Sequence, residues 1–405
     1  MTTARAFAFT VLLAALFSTG SPNAFAEKLI VGQGGLATIQ AAIDQALQNA
    51  DSVDTVLVPA GSYDESVAIV LTGANAQEKL TLKRKGSSGE VTIVGQASAP
   101  ALKIDGIEGV EIRNLTLDSG NIVDGVAALE VTGVTLDVNC ENVDGVPGDD
   151  FGVILSQTSV GVRLTNCDFS GMLGIGLAVD GTAHAIAGGK ANGCGLNGLL
   201  FAATSLNCRV SGFEAVALGG APSTDTGVIS VRGAGHAFSK TIAGGAGVGG
   251  DGFHIEGAGH SFSKCSSTGN GRAGFNLAAE TSLSSCDASG NLYGLQGGGT
   301  GATVSGGSWD LNSSHGLLLL NSGTHVVNVS ANNNTGSGVF VQAGVVGSNV
   351  SDSSFKDNGG EAVTVAGDFT WLEGNSGKKG DGFVDQGANN GGRDNLSKGG
   401  GQNDF

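Results

Sequence analysis

The sequence is poor in several residue types, and each shortage excludes a class of protein. Only 5 of the 405 residues are proline, and no Gly-X-Y period runs through the 71 glycines, which excludes a collagen-like triple helix. Aromatic residues make up 5% of the chain and charged residues 14%. Beyond residue 26, no apolar run approaches the length that crosses a membrane. What remains is a glycine-rich chain with many turns.

Basic residues are scarce relative to acidic ones. The chain has 20 Lys and Arg against 37 Asp and Glu, for a formal charge of −17. A surface of this sign repels nucleic acid and anionic lipid, so neither is expected as a partner. It also repels bare polyuronates unless a divalent cation bridges the two, so no cofactor is certain but Ca²⁺ is one that the sequence leaves open.

Residues 1–26 have the pattern of a secretory signal. Arg5 precedes the apolar run Phe7–Phe17, and Ala24-Phe-Ala26 stands just before Glu27. The apolar run is too short for the alternative, a membrane anchor. We therefore expect cleavage after Ala26 and a secreted, periplasmic or cell-surface protein, whose charge would then be −18 because Arg5 is removed.

A repeat organises the rest of the chain. Val228-Ile-Ser-Val-Arg-Gly-Ala-Gly-His-Ala-Phe-Ser-Lys-Thr241 is followed 24 residues later by Gly252-Phe-His-Ile-Glu-Gly-Ala-Gly-His-Ser-Phe-Ser-Lys-Cys265. Each copy alternates apolar and polar residues around a Gly-Ala-Gly break, which indicates strand, turn and strand. A fixed period of this length predicts stacked units, here the coils of a single-stranded right-handed parallel β-helix with about 21 to 27 residues per coil.

The repeat can be extended over residues 101–376. Asn114 and Asn166 are expected at the hinge between the first two strands of a coil, because Asn tolerates left-handed backbone. The third strands are predicted to start at Val153, Leu177, Leu199, Val228, Phe253, Phe275, Leu295, Leu317, Val339 and Val363, and a second asparagine series is Asn270, Asn291, Asn312, Asn334 and Asn358.

The two ends differ from these coils. Residues 27–100 are predicted to hold an N-terminal cap and the first coils, with an amphipathic helix over residues 38–49 and Thr38 as its N-cap. Such a cap protects the edge strands from pairing with other chains. Residues 377–405 are rich in Gly and Asn, which predicts a loosely packed cap or a disordered end.

The six cysteines allow two interpretations. Cys140, Cys167 and Cys208 each follow an Asn, and Cys265 and Cys286 hold one position in successive coils. Repetition at one coil position favours a stack of small, buried, free thiols. Since neighbouring coils lie about 4.8 Å apart, a Cys265–Cys286 disulfide is the alternative. No Cys-x-x-Cys occurs, which argues against a zinc or redox site.

The N-terminal part resembles a known family. Thr38-Ile-Gln-Ala-Ala-Ile-Asp-Gln-Ala and Asp54-Thr-Val-Leu-Val-Pro-Ala-Gly-Ser-Tyr-Asp-Glu65 are similar to the entry segment of right-handed parallel β-helix proteins of the pectin-lyase-like superfamily, and the Asn-rich coils resemble carbohydrate-binding and sugar-hydrolase repeats. The resemblance implies the fold, but not one activity, because this architecture carries lyases, hydrolases, esterases, epimerases and non-enzymes.

The third strands carry the candidate site. Side chains alternate along a strand, so Phe253 and Ile255 should point inward, and His254 and Glu256 outward with Arg232 beside them. Long insertions precede several third strands and should project from one edge, as the rim of a groove. The candidate catalytic residues are Asp225, Arg232, Asp251, His254 and Glu256, and the candidate binding residues are Asp149, Asp150, Asp180 and Asn276.

Two functions fit this groove. One is carbohydrate binding, or a structural role at the cell surface, with a polysaccharide or cell-surface glycan as partner. The other is a polysaccharide lyase, hydrolase or epimerase, because carboxylates with an Arg suit such chemistry. Catalytic signatures of polygalacturonases and pectate lyases are missing; Gly148-Asp-Asp150 and Ser314-His-Gly316 lie several coils apart. If the protein has neither function, Arg232 and Glu256 form only a cross-strand ion pair, and the aspartates serve only to form turns.

Other residues carry weaker signals. His184, His236, His260 and His325 hold similar positions in their coils, and two stacked imidazoles could bind copper or zinc. Without a third ligand we favour a structural role. Tyr293 and Phe340 are the few aromatic residues on which a sugar ring could stack.

Overall fold

Alternating apolar and polar residues form short strands throughout the chain. The computed structural model describes residues 27–48, 53–70, 79–96, 98–120, 125–133, 135, 137–218, 227–298, 300–378, 381–398 and 402–405. The predicted signal, residues 1–26, and Asp225 lie outside them. Within the described residues, one helix and forty strands are present, and every strand pairing is parallel.

The elements follow one another in a regular order. The first part of the chain contains β1 (Lys28–Ile30), α1 (Ile39–Ala46), β2 (Val53–Val58), β3 (Gly61–Asp64), β4 (Val67–Val70), β5 (Lys79–Arg84), β6 (Val91–Val94), β7 (Leu102–Asp105), β8 (Val110–Asp118), β9 (Ala127–Thr132), β10 (Asn139–Gly145), β11 (Phe151–Leu155), β12 (Arg163–Thr165), β13 (Ile175–Val179), β14 (Ala185–Ala187), β15 (Asn197–Phe201), β16 (Arg209–Ser211) and β17 (Glu214–Val216).

The later coils use shorter strands. They are β18 (Gly227–Val231), β19 (Ala237–Ser239), β20 (Ile242–Gly244), β21 (Asp251–Ile255), β22 (His260–Ser263), β23 (Ser266–Thr268), β24 (Ala273–Leu277), β25 (Thr281–Ser284), β26 (Asp287–Ser289), β27 (Tyr293–Gly297), β28 (Thr303–Ser305), β29 (Leu317–Leu319), β30 (His325–Val327), β31 (Ser330–Asn332), β32 (Val339–Val341), β33 (Asn349–Ser351), β34 (Ser354–Lys356), β35 (Val363–Val365), β36 (Trp371–Glu373), β37 (Ser376–Lys378), β38 (Phe383–Asp385), β39 (Gly391–Arg393) and β40 (Leu396–Lys398).

The strands stack into long parallel sheets, as the repeat predicts. The first sheet has 18 strands, and the third sheet has 14, in the order β38 to β4 with each coil beside the next. Two four-stranded sheets form a shorter face between the first and third sheets. They contain the second strands of the coils. Nine of the ten predicted third-strand starts are in register; at the tenth, Ile229 rather than Val228 pairs with Leu199 and Phe253.

Asparagines serve the turn and the interior in two different ways. Asn114, Asn166 and Asn207 have φ values of 56°, 52° and 53°, which confirms their left-handed hinge conformation. The second series forms a row in which the Oδ1 of each Asn after the first accepts from the backbone N–H of the Asn one coil before, at 3.0 or 3.1 Å. Its members are Asn270, Asn291, Asn312, Asn334 and Asn358.

The interior consists of columns of like residues. Phe238 stacks on Phe262 with ring centroids 4.6 Å apart, and Phe253 stacks on Phe275 at 4.7 Å. All six cysteines are buried and free, which confirms the prediction of buried thiols. Because each column continues from coil to coil, the hydrophobic core runs along the whole axis.

The helix α1 covers the N-terminal end on its apolar side. Ile39 and Ile43 are fully buried, and the Thr38 Oγ1 accepts from the Ala41 N–H at 3.0 Å, as expected of an N-cap. The Glu65 carboxylate accepts from the N–H groups of Ile39 and Gln40. A carboxylate at this end also complements the helix dipole.

The C-terminal segment continues the coils. Its described residues add β38, β39 and β40 to the existing faces, and Phe383 is fully buried. The strand pattern therefore reaches residue 398. Among the described residues, no helix has the length and apolar character needed to cross a membrane.

Candidate functional site

Two neighbouring strands of the third sheet, β18 and β21, position most of the candidate catalytic residues. In β21, Phe253 and Ile255 are fully buried in the core, while His254 and Glu256 lie on the outer face. Arg232 follows β18 and pairs with Glu256, with 2.6 Å between Nε and Oε2. Both side chains are 41% exposed, and an exposed pair contributes only up to about 1 kcal/mol. The pair therefore orients surface groups more than it holds the fold.

Asp251 is the buried centre of the cluster. It is 0% exposed, and its oxygens accept from Arg272 Nε at 2.7 Å, Asn276 Nδ2 at 2.9 Å, His254 Nδ1 at 3.0 Å and the Ala273 N–H at 3.0 Å, as well as from Arg272 Nη2. Burial alone raises the pKa of Asp251, but the hydrogen bonds from His254, Arg272 and Asn276 outweigh it and lower that pKa. Asp251 is thus an ionised positioning group without free lone pairs.

His254 connects this buried carboxylate to the surface. Its side chain is 10% exposed, with Nδ1 directed at Asp251 and Nε2 3.3 Å from Glu256 Oε1. Burial lowers the pKa of His254, but its two carboxylate partners raise it further, so the net shift is upward. The protonated imidazole is therefore favoured, with a carboxylate at each ring nitrogen.

These side chains form one continuous set, which we call the charged network: Arg232, Glu256, His254, Asp251 and Arg272. Arg272 is not among the residues predicted from the sequence, because it lies in the turn before β24 and not in a strand, and it reaches back one coil to Asp251. A signal was present, because Arg272 is the only basic residue at the position just before a third strand from β11 to β35.

The structure brings Asn276 to the network but keeps the other predicted binding residues apart. Asn276 is the register partner of His254. Asp180 lies in the column of Arg232, two coils earlier and hence roughly 10 Å away, and its carboxylate accepts from Thr204 Oγ1 at 2.8 Å. Asp180 therefore braces its own turn.

Asp149 and Asp150 lie three coils before Arg232 and four before Asp251. Asp149 is 4% exposed and accepts from the N–H and Oγ of Ser119, at 2.9 and 2.6 Å. Burial raises its pKa in spite of these bonds. Asp150 accepts from the Gly125 N–H at 2.6 Å. Both carboxylates hold the preceding coil, as turn-forming aspartates do.

An aromatic row continues from the network along the outer face of the third sheet. Tyr293 stacks on His315 with centroids 6.3 Å apart and planes 12° apart, and His315 stacks on Phe340 at 4.9 Å and 24°. All three are half-buried. Tyr293 is the register partner of Ala273, which donates its N–H to Asp251, so the row begins one coil after the network.

The repeated histidines have structural roles. His184 and His236 each place Nε2 against the carbonyl four residues earlier, at 2.7 and 2.9 Å, and accept a backbone N–H of the preceding coil at Nδ1. His236 stacks on His260 at 5.1 Å, and burial lowers the pKa of both to about 4. His325 is exposed.

The described residues do not provide an evident calcium site. No group of three or more His, Cys, Asp or Glu side chains in that part of the chain is arranged to hold a metal ion. Within the charged network, Asp251 has its oxygens occupied by donors, and Glu256 is shared between Arg232 and His254.

Comparison with known families agrees with the coil geometry. Residues 223–376 match the family model described as a right handed beta helix region. The chain is a right-handed parallel β-helix. No curated protein matches the sequence of this β-helix.

Solved structures similar to this β-helix include three proteins of different kinds. The A-module of a mannuronan C-5 epimerase from Azotobacter vinelandii is 16% identical with a TM-score of 0.36, covering 89% of this chain and 94% of that chain. A family 6 polysaccharide lyase from Pseudopedobacter saltans is 12% identical with a TM-score of 0.44, covering 91% and 92%. The tailspike protein 3 of bacteriophage CBA120 is 10% identical with a TM-score of 0.48, covering 92% and 61%. Identities this low define no activity for this β-helix.

Proposed function

We propose that the protein binds a polysaccharide along the outer face of the third sheet. The observation that carries the proposal is the continuous surface from the charged network to the aromatic row. Sugars offer hydroxyl groups to charged and amide side chains and C–H faces to aromatic ones, and both kinds of partner follow one another here along the helix axis.

The register of the third sheet supports a site that extends over several coils. The residues in the His254 column are Ser230, His254, Asn276, Gln296, Leu318, Phe340 and Thr364. Polar side chains occupy four successive coils and apolar ones the next two. A linear glycan can contact several coils in succession.

Binding is tested by calorimetry with residues 27–405 and a panel of neutral and uronate-containing oligosaccharides. Phe340→Ala and Arg232→Gln should each weaken binding about five- to tenfold, the loss of roughly 1 kcal/mol. The matched control is Phe369→Ala, which removes a 60% exposed aromatic ring in the turn after β35 and should leave the affinity unchanged. Failure of every glycan to bind, or an equal loss in the control, would contradict the proposal.

A second candidate function is proton transfer on an acidic glycan. The pairing of His254 with the buried Asp251 favours it, because a carboxylate that fixes one ring nitrogen leaves the other to exchange a proton. In this scheme His254 first passes its Nε2 proton to Glu256, and the freed Nε2 then takes the proton at C5, next to the uronate carboxyl group. Arg232 would neutralise that carboxyl group. Cleavage of the C4–O bond, with the proton held by Glu256 passing to the departing oxygen, would give an unsaturated sugar, whereas return of a proton to the opposite face of C5 would give the C5 epimer.

Turnover distinguishes the two candidates. Ultraviolet absorbance detects the unsaturated product, and proton NMR detects epimerisation. An enzyme should lose activity in His254→Gln while glycan binding through the aromatic row persists. Binding without turnover on any uronate polymer leaves the binding function alone.

Export is part of the same proposal. It rests on residues 1–26 of the sequence. Mass spectrometry of protein recovered from outside the cytoplasm should find Glu27 as the first residue, and an uncleaved chain retained inside the cell would overturn it.

A further inference from the structure

A concave surface lies on the first sheet, away from the charged network. Its volume is about 890 Å³. The outer side of β1, β2, β5 and β8 forms its floor, on a different face of the β-helix from the network and with β8, the nearest strand, four coils before Arg232. Its charged lining residues are Glu27, Lys28, Lys83, Arg84, Lys85 and Arg113.

The charge of this concavity opposes that of the chain. Five of the 20 Lys and Arg residues line it, with one acid, in a protein whose formal charge is −17. A quarter of all basic side chains thus surrounds one depression. Local fields of this kind concentrate anions, even on a protein that repels them elsewhere.

Most of this positive charge is not used within the protein. Among the described residues, Lys28, Lys83 and Lys85 form no ion pair. Arg84 is held by its own turn, since Nη1 donates to the Gly89 carbonyl at 2.8 Å. Arg113 is the exception, because Glu111 and Glu141 flank its guanidinium.

The floor of the concavity is partly apolar. Ile30, Leu57, Lys83 and Arg113 are successive register partners on the outer face, and Ile30 and Leu57 line the depression. Lysine stems can extend over such a floor with the ammonium groups at its rim. An apolar floor with a cationic rim complements a sugar ring that carries an anionic group.

We propose that this concavity binds an anionic polysaccharide through carboxylate or sulfate groups. The site is independent of the third-sheet site, which has paired charges and an aromatic row. The short patch and the acidic remainder of the protein disfavour a nucleic acid, which needs an extended basic surface.

The test uses residues 27–405 and four probes: hexagalacturonate for carboxylate, a heparin hexasaccharide for sulfate, maltohexaose as the neutral sugar, and hexathymidylate for nucleic acid. At least one anionic sugar should bind, less tightly at higher salt. Lys83→Gln/Lys85→Gln should weaken its binding about five- to tenfold. The matched control, Lys240→Gln/Lys264→Gln, changes the net charge equally at two exposed lysines and should bind as the wild type.

Chemical footprinting then locates the ligand. The bound sugar should protect Lys83 and Lys85 from acetylation and leave Lys240 and Lys264 reactive, as read by mass spectrometry. Which of the two anionic sugars binds identifies the anionic group. The proposal is overturned if neither binds, if maltohexaose or hexathymidylate binds as tightly, or if the two double variants lose affinity equally.

Discussion

The coil that begins at Gly227 and the coil that begins at Asp251 share an interior and differ on their surface. Inward, their residues match in kind: Ile229 and Phe253, Val231 and Ile255, His236 and His260, Phe238 and Phe262. Around the third strands the other positions differ: Ser230 faces His254, Arg232 lies beside Glu256, and Gly227 faces the buried Asp251. Each inward residue must fit the coils on both sides, whereas an outward residue needs only solvent or a ligand. The charged network arises where outward positions change within a repeated interior.

Breaking the shared interior should have the largest effect. Phe253→Ala removes a ring that stacks on Phe275 and should cost about 3 to 5 kcal/mol of unfolding free energy, because the neighbouring coils cannot collapse into the cavity. Urea unfolding followed by circular dichroism measures the loss. Phe369→Ala, at an exposed ring, is the control. Equal losses in the two variants would show that the stacked interior is not the main source of stability.

The repeated histidines should make stability depend on pH. His236 and His260 have pKa values of about 4 in the folded protein, against about 6.5 in the unfolded chain. The unfolded chain therefore binds more protons between these values, and stability falls as the pH falls from 6.5 to 4, by about 3 kcal/mol for each histidine. Unfolding midpoints measured between pH 7 and pH 4 test this.

A matched pair of variants assigns the pH effect. His260→Gln should flatten the profile, and His325→Gln, at an exposed histidine, should leave it as in the wild type. A profile unchanged by His260→Gln would assign the acid sensitivity to other groups.

Removing the buried Asp251 carboxylate should lower the unfolding free energy less than removing the Phe253 ring. Asp251→Asn leaves Arg272, whose side chain is 21% exposed, without its anion, and should cost about 2 kcal/mol. The double variant Asp251→Asn/Arg272→Gln should recover part of this loss, as a double-mutant cycle in urea would show. Additive losses would mean that the two side chains do not stabilise each other.

The Asp251 carboxylate also predicts a pH effect. Its pKa is lowered in the folded protein, so its contribution is present above the unfolded pKa of about 3.9 and is lost as the pH falls through the folded value. The difference in stability between wild type and Asp251→Asn should therefore narrow in strong acid.

Exchanging the outward charges should have the smallest effect. Arg232→Gln and Glu256→Gln should each cost less than about 1 kcal/mol, and the exchange Arg232→Glu/Glu256→Arg should restore only part of it, because the new Arg would face His254. Thermal unfolding of the four proteins measures this. A loss in the exchanged protein as large as that of Phe253→Ala would show that the surface is as constrained as the interior.

The sequence predicted the fold well because coils repeat their inward residues. The alternation around Phe253 and the left-handed Asn166 are local patterns, and stacking amplifies them into sheets. The predicted register is one residue off at Val228, where an insertion precedes the strand. A shift of one residue does not change the period of the repeat, so the predicted fold is unaffected.

The candidate site was only partly predictable, because its contacts cross coils. The alternation of inward and outward side chains along the third strands is enough to predict that Arg232 lies beside Glu256. Arg272 lies in a turn, where no period constrains a side chain, and its bond to Asp251 depends on the reach of that side chain. Asp149 shows the opposite case. Its spacing predicted a residue on the rim of the groove, but in the structure it is buried and bonded to Ser119. Asp225 lies outside the described residues.

The buried row of asparagines has a direction. The first four amides each donate to the next Asn toward the C-terminal end, from Asn270 Nδ2 to Asn291 Oδ1 and on through Asn334 Nδ2 to Asn358 Oδ1, so their dipoles add along the axis. The next coil places a carboxylate at its positive end, where Asp381 accepts from the Asn358 N–H at 3.2 Å. An acid at the N-terminus of a helix balances a dipole in the same way. The row therefore gives the β-helix an internal dipole, which is carried by side chains and ends at the Asp381 carboxylate.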